Sequence, residues 1–221
     1  MYNARILAAG TVMALACFAV APADAATLIT DGNFDTPLAA GSYVTYGAAT
    51  SFGTSNAWTV TGGSVDEIGS YWQAPPTGGG SVDLDGSSPG GIQQSFGAAA
   101  GSYDLQFYLS GNPDGAPSTK EVTVTIGGTS ANYFYTIGGN SKDSMNYILE
   151  NLAFTSAGGT NLLVFQSDDI DSPYGPVIGG VSVSAVPEPA TWTMFILGFG
   201  AIGWMLRFAR RRNNMATAVG C

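Results

Sequence analysis

Five side chains in three short stretches are of the types that hold a sugar: Tyr71 and Trp72, Asn112 and Asp114, and Tyr174. Aromatic faces pack on pyranose C–H groups, while planar amides and carboxylates match the hydroxyls. Tyr71 and Trp72 lie between Gly69-Ser70 and a Pro75-Pro76-Thr77-Gly78-Gly79-Gly80 run, which places them on a loop and not in a core strand. Asn112 and Asp114 come from Gly111-Asn112-Pro113-Asp114-Gly115, and Tyr174 from Pro173-Tyr174-Gly175-Pro176. Loops at strand ends are where rigid β scaffolds keep their sites. The competing use of an aromatic is packing, which is the expectation for Trp58.

Carboxylates are the second chemistry on offer. Asp83 and Asp85 flank Leu84 and so share one side of a strand, where two acids repel unless a cation or donors sit between them. Asp168, Asp169 and Asp171 crowd one loop and offer the oxygen ligands a hard cation wants, without the glycine and final glutamate of an EF-hand. The alternative for both groups is an ordinary solvated loop. Catalysis is not expected. The chain has no histidine, which removes the usual base for a serine or cysteine nucleophile and the commonest zinc ligand. Asp66 and Glu67 are adjacent, so in a strand they point to opposite faces and cannot work on one bond.

These residues need a β scaffold. Glycine reaches 31 of 221 residues, charged residues are only 10%, and short β-branched or aromatic runs recur between turn residues. Strands are predicted at 27–30, 43–46, 57–61, 81–84, 91–96, 103–109, 121–126, 133–137, 147–155, 161–166 and 177–184. Alternation is cleanest at Val122, Val124 and Ile126, with Thr123 and Thr125 facing the other way, and at Leu105, Phe107 and Leu109. The spacing predicts an all-β, two-sheet sandwich of the jelly-roll kind over residues 26–186. Within that span two lysines face fourteen acidic residues, a net charge of −12 that repels phosphate backbones and excludes nucleic acid as a partner. Both cysteines, Cys17 and Cys221, lie outside it, so no disulfide is expected in the body.

The two ends read as addresses. Residues 1–25 have Arg5, an apolar run and Ala23-Asp24-Ala25 ahead of Ala26, the pattern of a removed signal peptide. Near the other end come Pro187-Glu188-Pro189, an apolar stretch from Trp192 to Leu206, and Arg207, Arg210, Arg211 and Arg212. That order predicts one transmembrane helix with its arginines on the cytoplasmic side, followed by a short cytoplasmic tail at 213–221. Two prolines deny the first segment helix and sheet donors and leave an extended peptide that a protease can grip.

Val186-Pro187-Glu188-Pro189-Ala190-Thr191-Trp192, with the apolar stretch and arginines after it, resembles the PEP-CTERM sorting signal of Gram-negative bacteria. The resemblance implies that residues 187–212 are recognised and cut by an exosortase-type membrane protease after transient attachment to the inner membrane. The product then belongs to the cell surface or extracellular matrix. A second resemblance covers the body. The opening Leu28-Ile29-Thr30-Asp31-Gly32-Asn33-Phe34-Asp35-Thr36-Pro37, with Val82-Asp83-Leu84-Asp85-Gly86-Ser87-Ser88-Pro89-Gly90-Gly91, Gly111-Asn112-Pro113-Asp114-Gly115 and Tyr174-Gly175-Pro176, is similar to the choice-of-anchor C group. That group is related to galactose-binding-like jelly rolls and to plant cell-wall domains of unknown activity. The resemblance implies fold and surface destination, with no enzymatic chemistry. It also makes Asp35 a candidate ligand of a structural calcium (Ca2+), although glycine stands at the last strand, Val177-Ile178-Gly179-Gly180, where an acid is usual. Asp31, Gly32 and Asn33 read equally well as a plain turn. Two functions remain: a carbohydrate-binding body that grips exopolysaccharide or another surface glycan, and a structural surface or matrix protein without a specific sugar, retained in the membrane.

Overall fold

The computed structural model describes residues 27–38, 40–186 and 196–207. Among them ten strands form one continuous antiparallel hydrogen-bonded sheet: β1 (Tyr43–Gly47), β2 (Ser51–Phe52), β3 (Trp58–Gly62), β4 (Ser64–Ile68), β5 (Ser81–Asp83), β6 (Gly90–Gly111), β7 (Thr119–Ile126), β8 (Thr129–Thr136), β9 (Ile148–Ser167) and β10 (Pro176–Ala185). The main order is β1-β4-β5-β10-β6-β9-β7-β8, with β3 on the first part of β6 and β2 beyond it.

Two strands organise everything. The predicted pairs 91–96 with 103–109, and 147–155 with 161–166, prove to be single strands, β6 of 22 residues and β9 of 20. They pair along nearly their whole length, from Gly91↔Gln166 to Leu109↔Ile148. In a straight ribbon, Phe107 and Ile92 would lie roughly 50 Å apart at about 3.3 Å per residue. Yet Phe107 stacks edge-on against Phe165, the register partner of Ile92, with ring centroids 5.1 Å apart. The ribbon therefore folds back on itself, and its two halves become the centres of two facing layers. Its middle, Gly97 to Gly101 opposite Ser156 to Thr160, consists of small and polar residues, largely exposed, which suits a bend. One layer holds β2, β3, the first half of β6, the second half of β9, β7 and β8. The other holds β1, β4, β5, β10, the second half of β6 and the first half of β9.

Between the layers lies the core that the alternation predicted. Val122, Val124 and Ile126 face inward from β7, Leu105, Phe107 and Leu109 from β6, and all are fully buried with Trp58 and Phe165. Each such aliphatic side chain contributes about 1.5–3 kcal/mol by leaving water. Trp58 keeps its indole N–H satisfied by donating to the Asp31 carbonyl at 3.0 Å.

Two expectations change. Residues 27–30 do not form a strand: Leu28 N–H donates to the Val183 carbonyl, but the chain then turns at Asp31 and Phe34, whose φ values of 52° and 51° end any ladder. The Asp31 carboxylate accepts the Asp35 and Thr54 N–H groups at 2.9 and 2.7 Å, so this stretch is the turn and Asp31 its brace. Strand β4 was not expected, because Asp66 and Glu67 interrupt its apolar pattern. The described C-terminal helix covers 196–207, twelve residues or roughly 18 Å at about 1.5 Å rise per residue, against a bilayer core of about 30 Å. No helix among the described residues is long and apolar enough to cross a membrane. Arg207 is the last described residue of this helix. The signal peptide at 1–25, the sorting residues Pro187, Glu188, Pro189, Trp192, Arg210, Arg211 and Arg212, and the tail at 213–221 lie outside the described residues.

Candidate functional site

At one side of the β1-β4-β5 sheet edge the loops that follow β4 and β6 meet those that precede β9 and β10. They enclose a pocket of about 530 Å³. All five residues expected to contact a sugar line it: Tyr71, Trp72, Asn112, Asp114 and Tyr174. They play different parts.

Tyr71 is half-exposed at the opening, with Tyr43 of β1 edge-on to its ring at 5.3 Å. Its hydroxyl donates to Asp114 Oδ2 at 3.0 Å. Lys142, from the loop before β9, donates to the Tyr71 hydroxyl, stands 3.9 Å from the ring centroid and pairs with Asp114 Oδ2 at 3.1 Å. These contacts favour the charged amine and hold the Lys142 pKa above its ordinary value, the Tyr71 hydroxyl being the largest cause and Asp114 the next. Tyr174 is 37% exposed across the pocket, its ring laid against Gly115. A Cβ on Gly115 would fall 2.1 Å from that ring, so the glycine is what lets Tyr174 lie there.

Trp72 and Asn112 are walls. Trp72 rides a loop as expected, but its side chain is 6% exposed and packs in a small second core with Ile68, Met145 and Val177, its indole N–H donating to Ser81 Oγ at 2.9 Å. It supports Tyr71 from beneath, ring centroids 5.6 Å apart. Asn112 is buried and committed at both ends: its amide donates to Asp83 Oδ2 at 2.6 Å and its oxygen accepts the Asp114 N–H at 2.9 Å.

The pocket floor is acidic. Asp66 of β4 and Asp83 of β5 are direct register partners. Asp66 Oδ1 accepts the Thr45 hydroxyl at 2.6 Å, and burial raises its pKa against that hydrogen bond. Asp83 is buried and accepts from Asn112 and from the backbone N–H groups of Asp85 and Gly175, both at 3.0 Å. Burial pushes its pKa well up; the hydrogen bonds from Asp85 and Asn112 oppose this, and the charges of Asp85 and Asp66 add to it. Glu67, the neighbour of Asp66, is buried on the other side and accepts the Tyr46 hydroxyl at 3.2 Å.

Behind the floor a second polar group is sealed from water. Lys120 of β7 is completely buried, and its amine donates to the carbonyl oxygens of Gly115, at 3.0 Å, and of Tyr174. It thus ties together the two loops that carry Asp114 and Tyr174. Burial lowers its pKa, while Asp169, Asp83 and Asp85 pull the other way. Asp85 is fully buried and neither of its oxygens has a partner of normal hydrogen-bond geometry. Its pKa rises to about 7: burial is the main cause and Asp169 adds to it, against the nearby Ser167 hydroxyl, Lys120 charge and Gly90 N–H. Asp169 accepts the Glu121 N–H at 3.0 Å through Oδ1 and leaves Oδ2 unpartnered.

The six acids expected as calcium ligands are thus scattered. Asp35 is exposed beside the first turn, Asp83 and Asp85 lie under the pocket, and Asp168 accepts the Thr123 hydroxyl at the surface. Asp169 is buried beside Lys120, and Asp171 is exposed. No three Asp, Glu, Cys or His side chains among the described residues converge on a point that could hold a metal ion. Sequence reasoning missed Tyr43, Asp66 and Lys142. For Lys142 a signal existed, since it is one of two basic side chains in the acidic body.

A 57-residue stretch, 25% of this chain and 1% of the relative, is 49% identical to Halomucin of Haloquadratum walsbyi, so the chain spans about 1% of the curated relative it matches. Among solved structures, a native family 35 carbohydrate binding module from Clostridium thermocellum aligns with a TM-score of 0.42 and 16% identity over 66% of this chain and 99% of that one. A module of the same family from Paenibacillus barcinonensis gives 0.40 and 19% over 65% and 99%. An exo-beta-1,3-galactanase from Phanerochaete chrysosporium gives 0.40 and 18% over 64% and 29%. These scores are too low to assign a fold or a ligand. The tail is different: residues 185–212 match the PEP-CTERM protein-sorting motif, and the chain therefore carries the signal of an exported protein.

Proposed function

We propose that this is a non-catalytic, exosortase-processed surface or matrix protein whose β body grips a glycan in the Tyr71 pocket. The observation that carries the reading is the convergence, in one pocket of about 530 Å³, of half-exposed tyrosines from three separate segments with Asp66, Asp114 and Lys142. Small-molecule sites are commonly of this size, apolar on the walls with a few fixed polar groups. Tyrosine suits a sugar because its ring packs on C–H groups while its hydroxyl stays in the polar network. The reading includes the fold expected from the choice-of-anchor C resemblance, a galactose-binding-like jelly roll.

In this account residues 1–25 are removed on export across the inner membrane of a Gram-negative cell. The stretch from Trp192 to Leu206 lodges in the bilayer, the arginines from Arg207 onward stay cytoplasmic, and an exosortase cuts near Pro187-Glu188-Pro189. Mass spectrometry of the mature protein tests this part: a chain beginning at Ala26 and ending near Pro187 is expected, and intact termini would refute it. The glycan is tested by titrating the full chain with a panel of bacterial exopolysaccharide fragments and neutral galacto-oligosaccharides. A structural calcium is tested by melting with and without chelator, because a cation bound only by the folded state must raise stability.

A second reading, a matrix protein that works by self-association without a sugar, has its own observation. Strand β8 ends the sheet with neither charge nor proline, and Phe134 on it is 58% exposed. Unprotected edges of this kind pair with other strands. Sedimentation of the full chain as a concentration-independent monomer would remove it.

A further inference from the structure

Resting on the glycan reading of the pocket, we infer that its ligand is a sugar bearing a free amine, with the ammonium set against Asp66. The inference comes from which charges in the pocket are already matched. Lys142 is committed, 3.1 Å from Asp114 Oδ2, hydrogen-bonded to the Tyr71 hydroxyl and seated over that ring. Lys142 and Asp114 therefore cancel, and neither is free to select a charged ligand. The remaining carboxylates are Asp66 and Asp83, directly opposed on β4 and β5.

Burial pushes the Asp83 carboxyl well up, which leaves half-exposed Asp66 as the acid of the pair that meets the pocket. Among the described residues the Lys142–Asp114 pair is the one ion pair, so no described basic side chain stands at ion-pair distance from Asp66. The oxygens of Asp83 are engaged by Asn112, Asp85 and Gly175, which leaves it as background. Asp66 is half-exposed, lines the pocket, and has one oxygen on the Thr45 hydroxyl and the other without a donor among the described residues. A neutral sugar leaves this carboxylate as it was. A uronate sets a second negative charge against Asp66. An ammonium gives Asp66 a counter-charge, donates to the open oxygen and meets the negative faces of the tyrosines.

The test titrates the full chain, in chelator and at mildly acidic pH, with a β-1,4-glucosamine oligosaccharide, its fully N-acetylated counterpart, a neutral β-galacto-oligosaccharide and an oligogalacturonate. Charged hydrogen bonds exceed neutral ones by enough to give the free amine about a tenfold advantage over the acetylated form. Asp66→Asn is expected to bring that ratio close to one, and added salt to lower it, while the melting temperature shows that the variant is folded. Equal binding of amine and acetylated oligosaccharides overturns the inference and leaves the glycan reading standing. A preference for the uronate, or amine binding that appears only when calcium replaces chelator, overturns it as well. Failure of every oligosaccharide to bind removes the glycan reading and the inference together.

Discussion

The acidic body has two basic side chains, and their surroundings are opposite. Lys120 is sealed inside, its amine on two backbone carbonyls and its charge facing Asp83, Asp85 and Asp169. Lys142 sits on a loop at the rim of the pocket, paired with Asp114 and Tyr71. The inner lysine is something the fold requires, because its buried amine satisfies the Gly115 and Tyr174 carbonyls where water cannot reach and is the positive charge beside three buried acids. The outer one costs little to lose and arranges what a ligand meets. The difference separates a cationic brace from a side chain at the rim of the proposed glycan pocket, in a body that can spare only two lysines.

The comparison can be broken most easily by removing each charge. Lys120→Met is expected to destabilise the body by about 3–5 kcal/mol, since it strands the Gly115 and Tyr174 carbonyls and removes the positive charge beside the buried acids. Lys142→Met is expected to cost no more than about 1 kcal/mol, because the pair is partly exposed. Urea denaturation measures both, and similar losses would erase the distinction.

Substitution at Gly115 probes the link between the two sites. A Cβ there would strike the Tyr174 ring, so Gly115→Ala is expected to cost about 1–3 kcal/mol in overpacking and to weaken glycan binding several-fold. Calorimetric titration beside a melt separates the two effects.

A smaller and less intuitive effect concerns pH. The Asp85 pKa rises from 3.8 to about 7 in the folded protein. The fold therefore holds its proton more tightly than the unfolded chain does. The resulting stability is complete below the unfolded value and is lost as pH rises through about 7. Melting temperature should fall between pH 5 and pH 8, and Asp85→Asn should flatten that slope. Lys120, whose pKa burial lowers, acts in the opposite sense at higher pH. A slope unchanged in the variant would mean that Asp85 is not the group responsible. The smallest effect is that of chelator: with Lys120 supplying the buried positive charge, the melting temperature should move by less than about 2 °C, and a larger drop would place a cation in the fold.

Much of this was legible beforehand where local chemistry decides. The alternation at Val122, Val124 and Ile126 gave β7, and the glycine- and proline-rich stretches around Tyr71 and Tyr174 gave the loops that line the pocket. The merging of four predicted strands into β6 and β9 was not legible, because Gly97 to Gly101 looks like a turn and becomes extended only through pairing with Ser156 to Thr160. Strand β4 was hidden for a related reason: Glu67 is a buried acid, and a period of apolar residues cannot announce one. In the pocket, composition put Tyr71 and Trp72 on one loop but could not separate the half-exposed ring from the buried one, since the burial of Trp72 depends on Met145 and Val177, far away in sequence. Lys142 reaches Tyr71 across 71 residues, a contact no spacing rule encodes.

The most direct measurement is a binding isotherm of the full chain and of Tyr71→Ala against the oligosaccharide panel, with a melt of each protein. The account predicts saturable binding of at least one glycan, weakened by about tenfold or more in the variant, with the fold retained. A chain that binds no glycan, or a variant that binds as tightly as the parent, would contradict it.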